Sequence, residues 1–234
     1  MKLRMSILMI VLALCLSAAA LAEPATVTVT GLAQVTVATD HAVIHMGVRT
    51  KADTPSEAQT ENKQLTDAVM KALTDQCGIA AEKIATSNFS IYSLTDWSET
   101  TGEERQYYQV MHQLTVTVDN IDQAGSVIDI CVEAGANVID YVSFESSGMK
   151  EAYDQALREA IADAKRKAEL IADACGKTLG GIKTVSTNGS GTEYYDNTFR
   201  YEAADLEGAG AGETKLAPGT QNSTAAVTVT WEME

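Results

Sequence analysis

Few of the patterns that mark catalytic or metal sites occur in this sequence. It contains no G-x-S-x-G, no H-E-x-x-H and no phosphate-binding glycine loop before a helix. It has only three histidines, and no two of its cysteines have the C-x-x-C spacing of many metal and redox sites. We therefore predict no catalytic residue, no bound metal and no cofactor.

Basic residues are also scarce. The chain has 17 Lys and Arg against 32 Asp and Glu, which gives a formal net charge of −15. A surface of this sign repels phosphate backbones and anionic lipid headgroups. We expect no nucleic-acid partner, and we interpret the acidic charge mainly as a solvated surface.

The amino terminus has the pattern of a secretory signal. Lys2 and Arg4 precede an apolar run from Ile7 to Leu16, and the small-residue motif Ala20-Leu21-Ala22 follows. The run is shorter than the ~20 apolar residues of a membrane-spanning helix, although an uncleaved anchor remains the alternative. We predict a signal peptide at residues 1–22 and an exported mature chain that is periplasmic, secreted or in the cell envelope, with no stable membrane insertion.

Three cysteines remain in the predicted mature chain. Cys77, Cys131 and Cys175 each lie near the end of a predicted helix, where a buried small apolar side chain is common. In an oxidising compartment one disulfide and one free thiol is the alternative. The sequence does not determine which cysteines would pair.

Hydrophobic periodicity predicts the secondary structure. The capping sequence Thr54-Pro55-Ser56-Glu57 begins the first of three helices, and the others cover about 121–134 and 150–175. Alternating apolar residues predict the strands, of which the first two are expected to pair as antiparallel neighbours. The predicted strands are 25–37, 42–50, 79–94, 105–118, 137–145, 182–187 and 224–231.

The order of these elements, ββα-ββα-βα-ββ, predicts an α+β fold. We expect mainly antiparallel sheet of about seven strands with three helices packed on one face. Residues 188–220 are rich in glycine and poor in aliphatic side chains. They are predicted to be a flexible insertion in a single domain that covers residues 23–234.

The three histidines are the main candidates for an alternative site. His41 and His45 lie on one face of a predicted strand, about 13 Å apart at ~3.3 Å per residue, which is too far to share a metal ion. A site that included His112 or Asp40 would require a favourable cross-strand pairing. We therefore predict ordinary strand histidines, with an exported hydrolase or metal-dependent enzyme as the alternative function.

Aromatic residues are concentrated in two predicted loop regions. Tyr and Trp are common at protein interfaces because they combine apolar area with a polar group. We predict an oligomer or partner surface here, with packing onto the same domain as the alternative. The residues are Trp97, Tyr107 and Tyr108 near a hairpin tip, and Tyr194, Tyr195, Phe199 and Tyr201 in the insertion.

Several segments, in order along the mature chain, resemble those of the SIMPL-domain family. They include Gly31-Leu32-Ala33, the stretch 84–92, Ala134-Gly135-Ala136-Asn137, the alanine-rich stretch 160–165 and the closing strand 227–232. The resemblance implies a periplasmic or secreted protein, since some bacterial relatives are known as immunogenic or oxidative-stress-defence proteins. It also implies a homo-oligomer, because some relatives form ring or barrel-like assemblies. The family has no established catalytic residues.

These observations predict an exported, non-catalytic protein of the cell envelope. We expect it to act by self-assembly or binding, with stress defence as its setting. Relatives often carry a proline- and methionine-rich segment where this chain has the acidic, tyrosine- and glycine-rich residues 189–215. The resemblance therefore carries over no function placed in that segment.

Overall fold

The structure is a computed structural model that describes residues 24–97, 104–187 and 214–234. The predicted signal peptide and residues 188–213 of the predicted insertion lie outside these ranges. The described residues form seven β-strands and three α-helices. In chain order these are β1 (Ala25–Ala38), β2 (His41–Ala52), α1 (Pro55–Asp75), β3 (Ile84–Trp97), β4 (Glu104–Val118), α2 (Ala124–Glu133), β5 (Val138–Glu145), α3 (Met149–Ala174), β6 (Leu179–Thr187) and β7 (Thr220–Met233).

The strands form two antiparallel sheets, ordered β3-β4-β2-β5 and β1-β7-β6. The predicted α+β class and the order of the elements are confirmed. The predicted pairing of β1 with β2 is wrong, because β2 lies between β4 and β5 while β1 pairs with β7. An alternating pattern identifies a strand, but it does not identify the neighbouring strand.

The chain divides into two compact units, one around each sheet. In the four-stranded unit, α1 and α2 lie on the same sheet face. Thr54 caps α1, since its Oγ1 accepts a hydrogen bond from Glu57 N and donates one to a Glu57 carboxylate oxygen. Alternate side chains of β2, including Ile44 and Met46, are fully buried under the helices.

Asn137, the residue before β5, continues the pairing of β5 with β2 through its side chain. Its side-chain Oδ1 accepts a hydrogen bond from Arg49 N and its Nδ2 donates to Arg49 O, both at 2.7 Å. Its own backbone N–H donates to Gly47 O at 3.1 Å. The amide side chain therefore supplies the pair of hydrogen bonds that another strand residue would make, which gives the Ala134–Asn137 segment a structural role.

The three-stranded unit is built around α3. Alanine recurs every four residues along the buried side of this helix, and the resulting smooth stripe packs against β1 and β7. Gly31 in β1 lies directly against the helix backbone. A Cβ atom at this position would lie 1.9 Å from Ala160 O and 2.6 Å from Ala164 N. The small residues on both elements therefore allow the helix and the sheet to approach closely.

Residues 214–219 cross α2 in the four-stranded unit. Thr214 donates through N and Oγ1 to the two carboxylate oxygens of Asp129, at 3.0 and 2.6 Å. Leu216 packs against the hydrophobic core. Gly125 makes room for this crossing, because a Cβ atom there would lie 1.8 Å from Thr214 O.

Among the three helices between residues 24 and 187, none has both the length and the apolar character required to span a membrane.

Candidate functional site

A groove of about 330 Å³ runs along one side of α1 in the four-stranded unit. We call it the β3 groove because its floor is formed by Phe89 of β3 together with His112 of β4. Met70 and the polar side chains of α1 form its wall. The lining residues are Ser56, Gln59, Thr60, Asn62, Lys63, Thr66, Asp67, Met70, Phe89 and His112.

Two aromatic rings hold the floor of the β3 groove in place. Phe89 and His112 are direct cross-strand partners, and their rings meet edge to face with centroids 5.4 Å apart. His112 Nε2 lies 3.0 Å from Thr86 Oγ1, in hydrogen-bond contact. Burial lowers the pKa of His112, with a smaller opposing effect from Asp67. At neutral pH the imidazole is therefore uncharged and acts as part of the groove floor.

The wall of the groove contains polar side chains that have hydrogen-bond or ion-pair partners, and one exposed apolar side chain. Asn62 is buried, and its Nδ2 donates to Val48 O at 2.9 Å, which ties α1 to β2. Lys63 and Asp67 form an ion pair at the rim, one helical turn apart. Met70 stays 41% exposed. An apolar group can therefore contact Met70 and Phe89 without displacing a buried polar group.

The structure does not bring the three histidines together. His45 stacks on Tyr141 with ring centroids 4.2 Å apart, and its Nδ1 lies 3.3 Å from Thr115 Oγ1. His41 Nδ1 lies 2.6 Å from an Asp40 carboxylate oxygen. Each histidine thus has its own local partners. Within residues 24–97, 104–187 and 214–234, no group of three or more His, Cys, Asp or Glu side chains is placed to hold a metal ion.

Asp40 ties the turn before β2 to the segment before α3. Its carboxylate accepts hydrogen bonds from Ser147 N and Ser147 Oγ, and a further contact joins it to His41. The Ser147 hydroxyl, together with His41, lowers the pKa of Asp40 to about 2. Because Ser147 bonds to the carboxylate and not to the imidazole, these residues do not form a nucleophile–base pair.

The predicted aromatic interface is divided by the fold. Trp97 is 60% exposed at the end of β3. Tyr107 and Tyr108 are consecutive strand residues, so their side chains point to opposite faces of the sheet. Lys51 Nζ lies 4.9 Å from the Tyr107 ring centroid, on the face away from the helices.

The other predicted interface residues, Tyr194, Tyr195, Phe199 and Tyr201, lie outside the described residues. Side chains alternate between the two faces along a strand, so the separation of Tyr107 from Tyr108 could have been predicted from the sequence alone.

The exposed apolar side chains at the edges of the sheets were not predicted from the sequence. β3 is an edge strand, and Phe89 and Ile91 on it are 48% and 41% exposed. β6 is an edge strand of the other sheet, and on it Ile182 and Val185 are both more than half exposed. The alternation of Phe89 and Ile91 with serine was a visible signal. Its meaning depended on knowing that, among the described strands, β3 pairs with β4 alone.

The three cysteines among the described residues, Cys77, Cys131 and Cys175, are unpaired. Cys131 is buried, and burial together with the nearby Cys77 raises the pKa of its thiol to about 12. Burial also raises the pKa of Cys77, while Cys175 is exposed. Cys77 and Cys131 are therefore poor thiolates at neutral pH.

Comparison with known proteins identifies the family to which this chain belongs. The family model SIMPL, described as a protein of unknown function (DUF541), matches residues 27–231. The chain therefore belongs to the SIMPL family, and the family resemblance in its motifs is confirmed.

Two relatives carry a more specific description. The chain is 27% identical over 168 residues to the 26 kDa periplasmic immunogenic protein of Brucella melitensis biotype 1, a match that covers 70% of this chain and 67% of that protein. The protein of the same name from Brucella abortus matches over the same shares, also at 27% identity.

Proposed function

We propose that this chain is an exported, non-catalytic protein of the cell envelope or periplasm that acts by self-assembly or binding. The observation that carries the proposal is the row of exposed apolar side chains on the edge strands β3 and β6. Unpaired strand edges are templates for another chain, and proteins that remain monomeric commonly protect them with charge, proline or a covering segment.

The exposed apolar residues of β6 lie on the same side of their sheet as its buried core. Ile182 lies opposite Trp231 of β7 and Val185 lies opposite Val229, so both belong to the side of the sheet that carries the core. Their partners on β7 are buried, whereas Ile182 and Val185 remain exposed beside them. An apolar strip that continues a core outward is typical of a surface that binds another protein.

Export is supported by the amino-terminal signal pattern and by the periplasmic name of the two relatives. Stress defence is the physiological setting that we attach to the proposal on the family resemblance alone. The thiols of Cys77 and Cys131 do not support it, because burial raises the pKa of both.

The first test is the solution mass of the chain without residues 1–22, measured by light scattering coupled to size-exclusion chromatography. We expect a discrete oligomer. An Ile182→Ser, Val185→Ser double variant should lower its mass while leaving the circular dichroism spectrum unchanged. Leu170→Ser is the matched control, since Leu170 is an exposed apolar residue of the helix α3 and does not lie on a strand edge. A monomer at all concentrations that also binds no ligand would contradict the proposal.

The predicted aromatic surface needs a separate test. We expect a Trp97→Ala, Tyr194→Ala double variant to change the oligomer mass more than the midpoint of urea unfolding. Tyr107→Ala is a useful comparison because Tyr107 lies on the opposite sheet face from Trp97, which pairs with Glu104. An unchanged mass in the double variant would remove the aromatic surface from the proposal, even if the β6 variant had an effect.

A further inference from the structure

The outer edge of β3 and the β3 groove lie side by side. Within the described residues β3 pairs with β4 alone, so every second backbone N–H and C=O along its other edge has no strand partner. The ladder is irregular between Thr86 and Asn88 and regular from Asn88 to Trp97. The regular part offers a continuous edge for one more strand.

The groove supplies side-chain contacts for such a strand. Phe89 and Ile91 are on the helix side of the sheet, since their partners His112 and Val110 share a face of β4 with Leu114, which lies in the core with residues of α1. A strand added next to β3 would place alternate side chains on this same side. One of these side chains could lie over Phe89 and against Met70, both of which are more than two-fifths exposed.

From these contacts we infer that β3 and its groove bind an extended peptide of another protein, by addition of a strand with an apolar anchor residue. Main-chain hydrogen bonds to the β3 edge would provide affinity, and the groove would select the anchor side chain. This inference rests on the proposed binding function and names its partner class.

Charge favours a basic peptide as the partner at this edge. The chain carries a net charge of −15, so a basic peptide is attracted to it at long range. At the groove itself the rim residues Lys63 and Asp67 neutralise each other. We therefore expect a peptide with an apolar anchor and a net positive charge.

The test uses a defined probe. It is a fluorescein-labelled peptide of alternating threonine and valine with a central phenylalanine and lysines at both ends. Binding to the chain without residues 1–22 is measured by fluorescence anisotropy. Two further peptides carry N-methyl groups on alternate backbone amides, one set for each edge of the strand. Only one edge of an added strand can face β3.

We expect the unmethylated peptide to bind and only one of the two methylated peptides to lose binding. Phe89→Ser should weaken binding by about tenfold, the usual effect of removing a well-packed anchor contact. Leu170→Ser should leave it unchanged, and Phe89→Leu should restore it if the serine variant is poorly folded. Hydrogen exchange should slow at amides within residues 88–97 when the peptide is bound.

Equal binding of both methylated peptides, or unchanged binding by Phe89→Ser, would overturn the inference. An oligomer that Phe89→Ser dissociates, and with which the peptide does not compete, would also overturn it by assigning the edge to a second copy. If no peptide binds while the β6 variant still lowers the oligomer mass, the peptide site is refuted and the proposed assembly function stands.

Discussion

Replacing Gly31 with alanine should disrupt the packing of α3 on its sheet. The added Cβ would lie 1.9 Å from Ala160 O, 2.6 Å from Ala164 N and 2.8 Å from Ala164 Cβ. Two of these three atoms belong to the helix backbone, so a rotamer change cannot relieve the contact. The helix would have to move away by roughly 1.5 Å before the closest contact became an ordinary van der Waals contact.

The expected energetic effect follows from this displacement. Overpacking a core typically costs about 1–3 kcal/mol. A shift of a whole helix also loosens the packing of Ala156 and Ala168 on the sheet. We expect Gly31→Ala to lower the free energy of unfolding by about 3 kcal/mol, near the upper end of that range.

Urea unfolding followed by circular dichroism measures this difference, and hydrogen exchange locates it. Exchange should accelerate in α3 and β1. Gly181→Ala is the matched control, because Gly181 lies in β6 with no atom within 4 Å of an added Cβ. Its stability should change by less than about 0.5 kcal/mol. Equal stability of the two variants would show that Gly31 does not lie in close contact with the helix backbone.

Three further predictions concern the four-stranded unit. Asn137→Ala should cost about 1–3 kcal/mol in urea unfolding, because both backbone groups of Arg49 lose their partner; unchanged stability would show that water replaces the amide. Gly125→Ala should speed hydrogen exchange in residues 214–219 even though alanine favours a helix, because its Cβ meets Thr214 O; slower or equal exchange there would contradict the crossing geometry. Asp40 has a folded-state pKa of about 2, below the ordinary value of 3.8, so its contribution is present above about pH 4 and is lost as the pH falls toward 2. Asp40→Asn should therefore flatten the acid unfolding curve in that window, and an unchanged curve would assign the loss to other carboxylates.

Local patterns predicted the elements well. The Thr54-Pro55-Ser56-Glu57 sequence begins α1 as expected, since a capping box depends only on residues three apart along the chain. The terminal strand was also expected, although β7 begins at Thr220 and not at residue 224. Alternation is a weak guide to strand ends because exposed and edge positions accept polar residues on both faces.

The partners of the strands could not be predicted in the same way. β1 pairs with β7 at the opposite end of the chain, where Thr28 Oγ1 and Thr230 Oγ1 lie 2.9 Å apart. β1 and β2 both alternate and lie near each other in sequence, which favoured the wrong hairpin. Sequence proximity lowers the entropy cost of closing a loop, but it does not decide which apolar faces fit together.

The features of the candidate site likewise separate into those that the sequence determines and those that only the tertiary structure determines. The sequence by itself determined which residues form helices and strands, the acidic charge, the family motifs and the absence of familiar catalytic patterns, because these depend on residue type and short spacing. Only the tertiary structure decided that β3 and β6 are edges, that Phe89 and Met70 share a groove, and that the histidines lie apart. Those properties depend on which strands become neighbours, and this is set by long-range packing of complementary faces.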